Sequence, residues 1–283
     1  MPHILEVKNI TKRFGGLTAV DDVGFYVDHG EVVALVGDNG AGKSTLIKVI
    51  SGVYKPDAGE IFLNGSKIHI ESPIDAINYG IETIYQDLAL AENLDVPSNI
   101  FLGREITKKK AGLIPVIHQE YMLEESRKVL DRLDIEIPSL KSNIRNLSGG
   151  QRQAVAISRS IYWNAQVLIM DEPTAALGIS EQKKVLELVS SLRKQGIAII
   201  IISHQMYDVF SVADRIIVMR RGIKAGERLV KETTSEEIVS LIVGAETVEK
   251  NSDEVFYTYL QFVSHHYSIA GSACYCVCVR SRI

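Results

Sequence analysis

The sequence predicts an α/β fold: a mainly parallel sheet with an added antiparallel β element and an inserted helical region. Three observations carry this. Short apolar runs of strand length alternate with amphipathic stretches of helical period. One such run, residues 31–36, feeds a glycine-rich loop that opens directly into a helix. Strand patterns stop after about residue 87 and resume only after about residue 164.

Taken in order, residues 4–14 read as an edge strand, with Leu5, Val7 and Ile10 apolar and charged residues between them. Gly15 and Gly16 turn the chain into a second short strand over residues 20–27. His29 and Gly30 turn it again into the apolar run 31–36. A helix follows Lys43 and ends near Gly52. After a turn at residues 56–59, residues 61–63 and 67–70 flank Asn64 and Gly65. That pair favours a two-residue hairpin, because both turn positions take φ > 0. Ser72 and Pro73 read as a helix start: serine caps, and proline at the first position has no N–H to lose. Residues 81–85 are a further strand, closed by Gln86. Residues 116–133 then carry helical spacing through Met122, Val129 and Leu133, which marks a helical subdomain of about residues 87–164. Strands resume at 167–170 and 197–202, separated by a helix over about residues 180–195. A strand at residues 216–218 and an amphipathic helix around residues 236–243 complete a body of residues 1–245. No internal repeat is visible.

The chain has 283 residues, of which 46% are hydrophobic and 23% charged, an ordinary globular composition. Its net charge of −4 argues against a nucleic-acid partner bound over a broad surface. No apolar run approaches the ~18 residues of a membrane span, and no secretory signal is expected at residues 1–12. All three cysteines, Cys274, Cys276 and Cys278, fall in an atypical tail over residues 246–283. A body free of cysteine fits a reducing, cytosolic setting. One reading of the tail is a metal cluster of its cysteines with His265 and His266, but the spacing does not match Cys-x2-Cys zinc sites.

Three stretches carry chemistry. Gly37, Asp38, Asn39, Gly40, Ala41, Gly42, Lys43, Ser44 and Thr45 fit the phosphate-loop pattern of glycine, four residues, then Gly-Lys-Ser/Thr. Its glycines can take φ > 0, so backbone N–H groups can turn inward as an anion nest at a helix N-terminus. Lys43 adds a full charge for the β- and γ-phosphates, and the Ser44 hydroxyl is placed to ligate Mg2+. Next, residues 167–170 form an apolar strand that ends in Asp171 and Glu172. In phosphate-loop proteins the first acid holds Mg2+, and a second beside it can take a proton from an attacking water. Finally, Leu147, Ser148, Gly149, Gly150 and Gln151 open a helix that runs to about residue 164, a second anion-binding terminus in one chain.

With these residues in hand, residues 4–245 resemble the ATP-binding subunit of an ATP-binding-cassette (ABC) transporter. The resemblance implies an ABC-type ATPase core of the phosphate-loop NTPase class and a role for each motif. Gly37 to Thr45 matches the Walker A loop. Gln86 matches the Q-loop glutamine, which touches Mg2+ and the attacking water. Ser148, Gly149, Gly150 and Gln151 match the family signature, which contacts the ATP of the partner subunit. Asp171 matches Walker B, Glu172 the catalytic base and His204 the switch histidine. Phe14 sits where the family places an aromatic against adenine. ATP and Mg2+ are the implied ligands. The implied partners are a second ATP-binding subunit, as a homodimer or paired cassette, transmembrane permease subunits and, indirectly, a solute-binding protein. The implied location is the cytoplasmic face of the cell membrane, held there by the permease.

The wording of Ala175, Ala176, Leu177 and Gly178, with Asp38 and Asn39, resembles monosaccharide importers of the ribose, xylose and fructose type. Gly178 departs from the aspartate usual in ABC ATPases, which puts one contact across the dimer in doubt. The expected function is therefore MgATP hydrolysis that powers sugar import through a separate permease. The alternatives are import of a different solute, or a soluble ABC ATPase of translation or DNA repair. Members of that soluble class carry two cassettes or long coiled-coil insertions and basic surfaces. A phosphate-loop kinase is a weaker option, opposed by residues 147–151.

Overall fold

The computed structural model describes residues 2–110 and 114–244. The expectations placed on the tail, a Cys–His cluster included, lie outside the described residues.

The chain opens with strands β1 (Leu5–Phe14) and β2 (Leu17–Val27). β3 (Val32–Val36) then leads through the glycine-rich loop into α1 (Lys43–Ile50). A hairpin of β4 (Ala58–Leu63) and β5 (Ser66–Ile68) follows, with Asn64 at φ 49° and Gly65 at φ 77°, as its two-residue turn requires. These strands form an antiparallel sheet in the order β2-β1-β4-β5. β1 is therefore interior to that sheet and not an edge strand. The charges that alternate along it mark one wetter face of a paired strand, not an unpaired edge.

α2 (Pro73–Asn78) starts after Ser72, whose N–H and hydroxyl both donate to Asp75 Oδ2 at 2.9 and 2.8 Å. β6 (Ile81–Ile84) ends where the insertion begins. The insertion is not purely helical. Between α3 (Val96–Ile100) and α4 (Gln119–Arg132) it carries an antiparallel pair, β7 (Thr107–Lys110) and β8 (Ile114–Ile117). Four-residue strands with consecutive lysines leave no alternation to read in the sequence. The helix expected from residue 116 accordingly begins only at Gln119. α5 (Gly149–Tyr162) closes the insertion against α3 and α4.

The chain then completes the main sheet through β9 (Val167–Asp171), α6 (Ile179–Lys194), β10 (Ala198–Ile202), α7 (Met206–Val212), β11 (Arg215–Arg220), β12 (Ile223–Leu229) and α8 (Ser235–Val243). Strand order is β12-β11-β3-β10-β9-β6, parallel apart from β12. Both faces of this sheet are covered, which is why β3, β9 and β10 read as unbroken apolar runs. Successive residues point to opposite faces. Val33, Leu35, Ile169 and Ile200 pack with α1 and the antiparallel sheet, whereas Ala34, Leu168, Met170 and Ile201 pack with α5, α6 and the insertion. At about 25 cal/mol per Å2 of apolar surface removed from water, these two layers supply the main driving force for folding.

The consequence for function lies at one sheet edge. β3, β10, β9 and β6 run parallel, so their C-terminal ends sit side by side. Leu35 is paired with Ile202, Ile202 with Asp171, and Met170 with Ile84. Ligands of open α/β sheets bind at such an edge.

Candidate nucleotide site

A cleft of about 580 Å3 lies along that edge. Gly37, Asp38, Asn39, Lys43 and Ser44 reach it from the loop after β3, and Gln86 from beyond β6. Asp171 and Glu172 come from the end of β9, and His204 from beyond β10.

The loop's shape is set by packing. Gly37 has φ 149° and Gly42 φ 101°. A Cβ at Gly37 would meet the Met219 carbonyl at 2.2 Å, and one at Gly42 the Ala19 carbonyl at 2.5 Å. β11 and β2 thus clamp the loop from outside, and only glycine fits at either contact. Buried Ala41 anchors it further, its carbonyl accepting from Gly222 N–H at 3.0 Å. α1 begins after Gly42 with no side-chain cap, so its first N–H groups open on the loop. Lys43 folds back over them and donates to the carbonyls of Gly37 and Asp38 at 2.7 and 3.0 Å. Burial pushes the Lys43 ammonium below the usual lysine range, and the charges of Glu172, Asp38 and Asp171 work against that shift.

Asp171 is raised above the usual carboxylate range by burial and then by Glu172, with Lys43 opposing. Glu172 takes a left-handed φ of 51°. Its Oε2 is buried and lies 2.8 Å from His204 Nδ1, an ion-pair contact without hydrogen-bond alignment. That contact raises His204 above the usual imidazole range, against burial and the charge of Lys43.

The donor set fits Mg2+. Ser44, Gln86 and Asp171 offer hydroxyl, amide and carboxylate oxygens into one cleft. Mg2+ takes few protein ligands and completes its shell with phosphates and water. Among the described residues no group of three His, Cys, Asp or Glu forms a ready-made metal cage.

Of the expected loop residues, Gly40, Ala41, Gly42 and Thr45 do not line the cleft, and two further sets of expected residues fall outside it. Phe14 is 42% exposed, stands edge-to-face against Tyr54 with ring centroids 5.1 Å apart, and does not line it. Ser148, Gly149, Gly150 and Gln151 open α5 elsewhere. There, Ser148 N–H donates to Gln151 Oε1 at 3.0 Å and Gln151 N–H to Ser148 Oγ at 3.3 Å, a capping box. The structure also adds an apolar wall that sequence reasoning missed: Met206, Tyr207, Val239, Ile242 and Val243. α7 is too short to show a period, and nothing in the sequence of α8 tells which of its faces meets the cleft.

A family model described as ABC transporter matches residues 20–175. The chain belongs to the ABC transporter family. An ABC ATPase domain binds ATP. Among relatives, it is 49% identical over 242 residues to the xylose/arabinose import ATP-binding protein XylG of Sulfolobus acidocaldarius, covering 86% of this chain and 94% of that one. It is 43% identical to the fructose import ATP-binding protein FrcA of Rhizobium meliloti, again over 94% of that chain. It is 41% identical to a ribose import ATP-binding protein, RbsA of Caldanaerobacter subterraneus, but there it spans only 49% of the relative. Among solved structures, a nucleotide-free ATP-binding cassette from an ABC transporter superposes with a TM-score of 0.74 at 28% identity, covering 90% of this chain and 98% of that one. The ADP conformation of another ABC transporter cassette gives 0.71 at 27% identity, covering 91% and 99%.

Proposed function

We infer that this cassette is the ATP-hydrolysing subunit that powers import of a sugar through a separate membrane permease. The ATPase reading rests on one observation: neighbouring strand ends deliver Lys43, Asp171, Glu172 and His204 into a single cleft. The sugar reading rests on relatives 41–49% identical, all sugar import ATP-binding proteins.

In this reading the anion nest of residues 37–45 and the Lys43 ammonium hold the triphosphate. Ser44, Asp171 and Gln86 would hold Mg2+, which when bound would neutralise phosphate charge. Water attacks the γ-phosphorus, the bond to the β-phosphate oxygen breaks, and ADP leaves. Glu172 accepts the water's proton; such help is worth roughly 10²–10⁴ in rate. His204, whose contact with Glu172 favours its protonated form, donates to the γ-phosphate as charge gathers there. Phe14, which does not line the cleft, stacks on adenine. Ser148, Gly149, Gly150 and Gln151 serve the ATP of a second cassette. The permease that holds the cassette at the cytoplasmic face is a separate set of subunits, and among the described residues no helix is long and apolar enough to cross a membrane. A solute-binding protein supplies the sugar to that permease.

The test is purification with the permease. The complex should hydrolyse MgATP faster when the sugar-loaded binding protein is added. A cassette that hydrolyses ATP but recovers no membrane partner would overturn the import reading.

A further inference from the structure

Glu172 and His204 sit at the ends of adjacent strands without an aligned hydrogen bond between them. Their relative position must therefore be set from behind. The turn that carries Glu172 is strained: Glu172 at φ 51° and Ala176 at φ 61° both hold left-handed backbone despite having a Cβ. Such conformations persist only where the surroundings hold them.

Part of the hold is backbone. Glu172 N–H donates to the Ile202 carbonyl at 2.9 Å, and Gln182 Nε2 reaches the carbonyls of Leu177 and Thr174 at 3.1 and 3.4 Å. A further anchor runs between two side chains. Thr174 is wholly buried two residues beyond Glu172, and its hydroxyl donates to Asp208 Oδ2 at 2.5 Å. Asp208 is also wholly buried, in the first turn of α7 and four residues beyond His204. Its second oxygen, Oδ1, has no hydrogen-bond partner among the described residues. The charged groups that act on this carboxyl are Glu172 and His204, and burial raises it above the usual carboxylate range. A buried carboxyl with one bond and no dedicated cation is costly to keep for stability alone.

We propose that Asp208 is a positioning residue, which clamps the Glu172 turn to the first turn of α7 through Thr174 and so fixes Glu172 against His204. The clamp rests on the ATPase reading of the cleft. It makes the base and the switch histidine one mechanical unit, joined behind the nucleotide by a buried bond that touches neither substrate nor metal.

The test is kcat and KM for MgATP on the full chain, with melting temperature measured alongside. Thr174→Val keeps the shape and removes the hydroxyl. It should lower kcat by about 10- to 100-fold, the scale of a small misplacement of a catalytic group, with KM within about twofold. Thr174→Ser should restore kcat. Because Thr174→Val strands a buried carboxyl and can unfold the chain, Thr174→Val is also combined with Asp208→Leu, an apolar pair of similar shape that is nearly neutral for folding. The double variant should melt like the wild type and still hydrolyse slowly. A double variant with wild-type kcat would show that the bond serves folding only and would overturn the clamp. So would an unimpaired Thr174→Val, or a Thr174→Ser as slow as Thr174→Val. Glu172→Gln in the same panel separates the two ideas. If it is inactive while Thr174→Val is unimpaired, the clamp alone fails; if it hydrolyses at the wild-type rate, the reading of the site fails and the clamp with it.

Discussion

Single residues set the charge balance of the cleft. Lys43 holds its ammonium among loop carbonyls, where burial works against its charge and a triphosphate would restore it. Lys43→Ala should weaken ATP binding by about 10- to 100-fold, following the roughly 1.5–3 kcal/mol of a hydrogen bond to a charged group. Nucleotide titration of the purified protein measures this, and an unchanged affinity would remove Lys43 from the site. His204 gives a pH prediction. Glu172 beside it raises its pKa, so the ring keeps its proton to higher pH than a free histidine, whose pKa is about 6.5. The stability this contact contributes is present at low pH and is lost as pH rises through the raised value. It is small, because the His204 side chain is 54% exposed. An NMR titration of His204 should therefore show a midpoint above about 6.5, moving down in Glu172→Gln. An identical midpoint in both proteins would mean that the contact is not made in solution.

At the scale of elements, α5 depends on what lies over its first turn. A Cβ on Gly149 would meet Leu177 Cδ2 at 2.6 Å, and one on Gly150 would meet the Glu181 side chain at 3.1 Å. Gly149→Val should push Leu177, and with it the turn before α6, out of place. Steady-state ATPase of the assembled transporter should fall while nucleotide binding to the isolated cassette holds; equal loss of both would point to general unfolding. These contacts also show where the sequence was legible. β3, β9 and β10 are buried on both faces, so burial alone wrote their apolar runs. The loop after β3 was legible because a phosphate nest needs glycine at fixed offsets, and the Asn64-Gly65 hairpin because both its positions need φ > 0. The β7–β8 pair was not legible, since two four-residue strands, one with three lysines and the other apolar throughout, carry no period. β1 was misplaced at an edge because alternation along a strand reports its faces, not its neighbours. The wall from α7 and α8 and the Thr174–Asp208 bond were hidden for a different reason: they depend on which distant elements meet, and no local pattern encodes that.

On the scale of the whole molecule, one chain holds two helix N-termini, both proposed above to serve phosphate, that do not share a cleft. α1 opens on the cleft, whereas Ser148, Gly149 and Gly150 open α5 outside it. A second cassette arranged head-to-tail would bring the α5 terminus of one chain to the γ-phosphate on the other, and the nucleotide would then bridge the pair. Gly178, which stands in open space at the start of α6, offers no carboxylate to that interface. The bridge would accordingly lean more heavily on the phosphate itself. Hydrolysis removes that phosphate, and the pair should then open. Glu172→Gln keeps the shape of the base but cannot take the water's proton, so ATP should persist and the closed pair should accumulate. Size-exclusion chromatography of Glu172→Gln with MgATP should show a dimer that is absent without nucleotide and that disappears when Ser148 is replaced by a bulky arginine. Isolated cassettes that pair too weakly to survive a column can be measured in the permease complex by a cross-link between residues near Ser148 of one cassette and Lys43 of the other. An ATP-loaded, hydrolysis-blocked complex whose cassettes stay apart would refute the bridging role of Ser148, and the second terminus would then be no more than a well-capped helix.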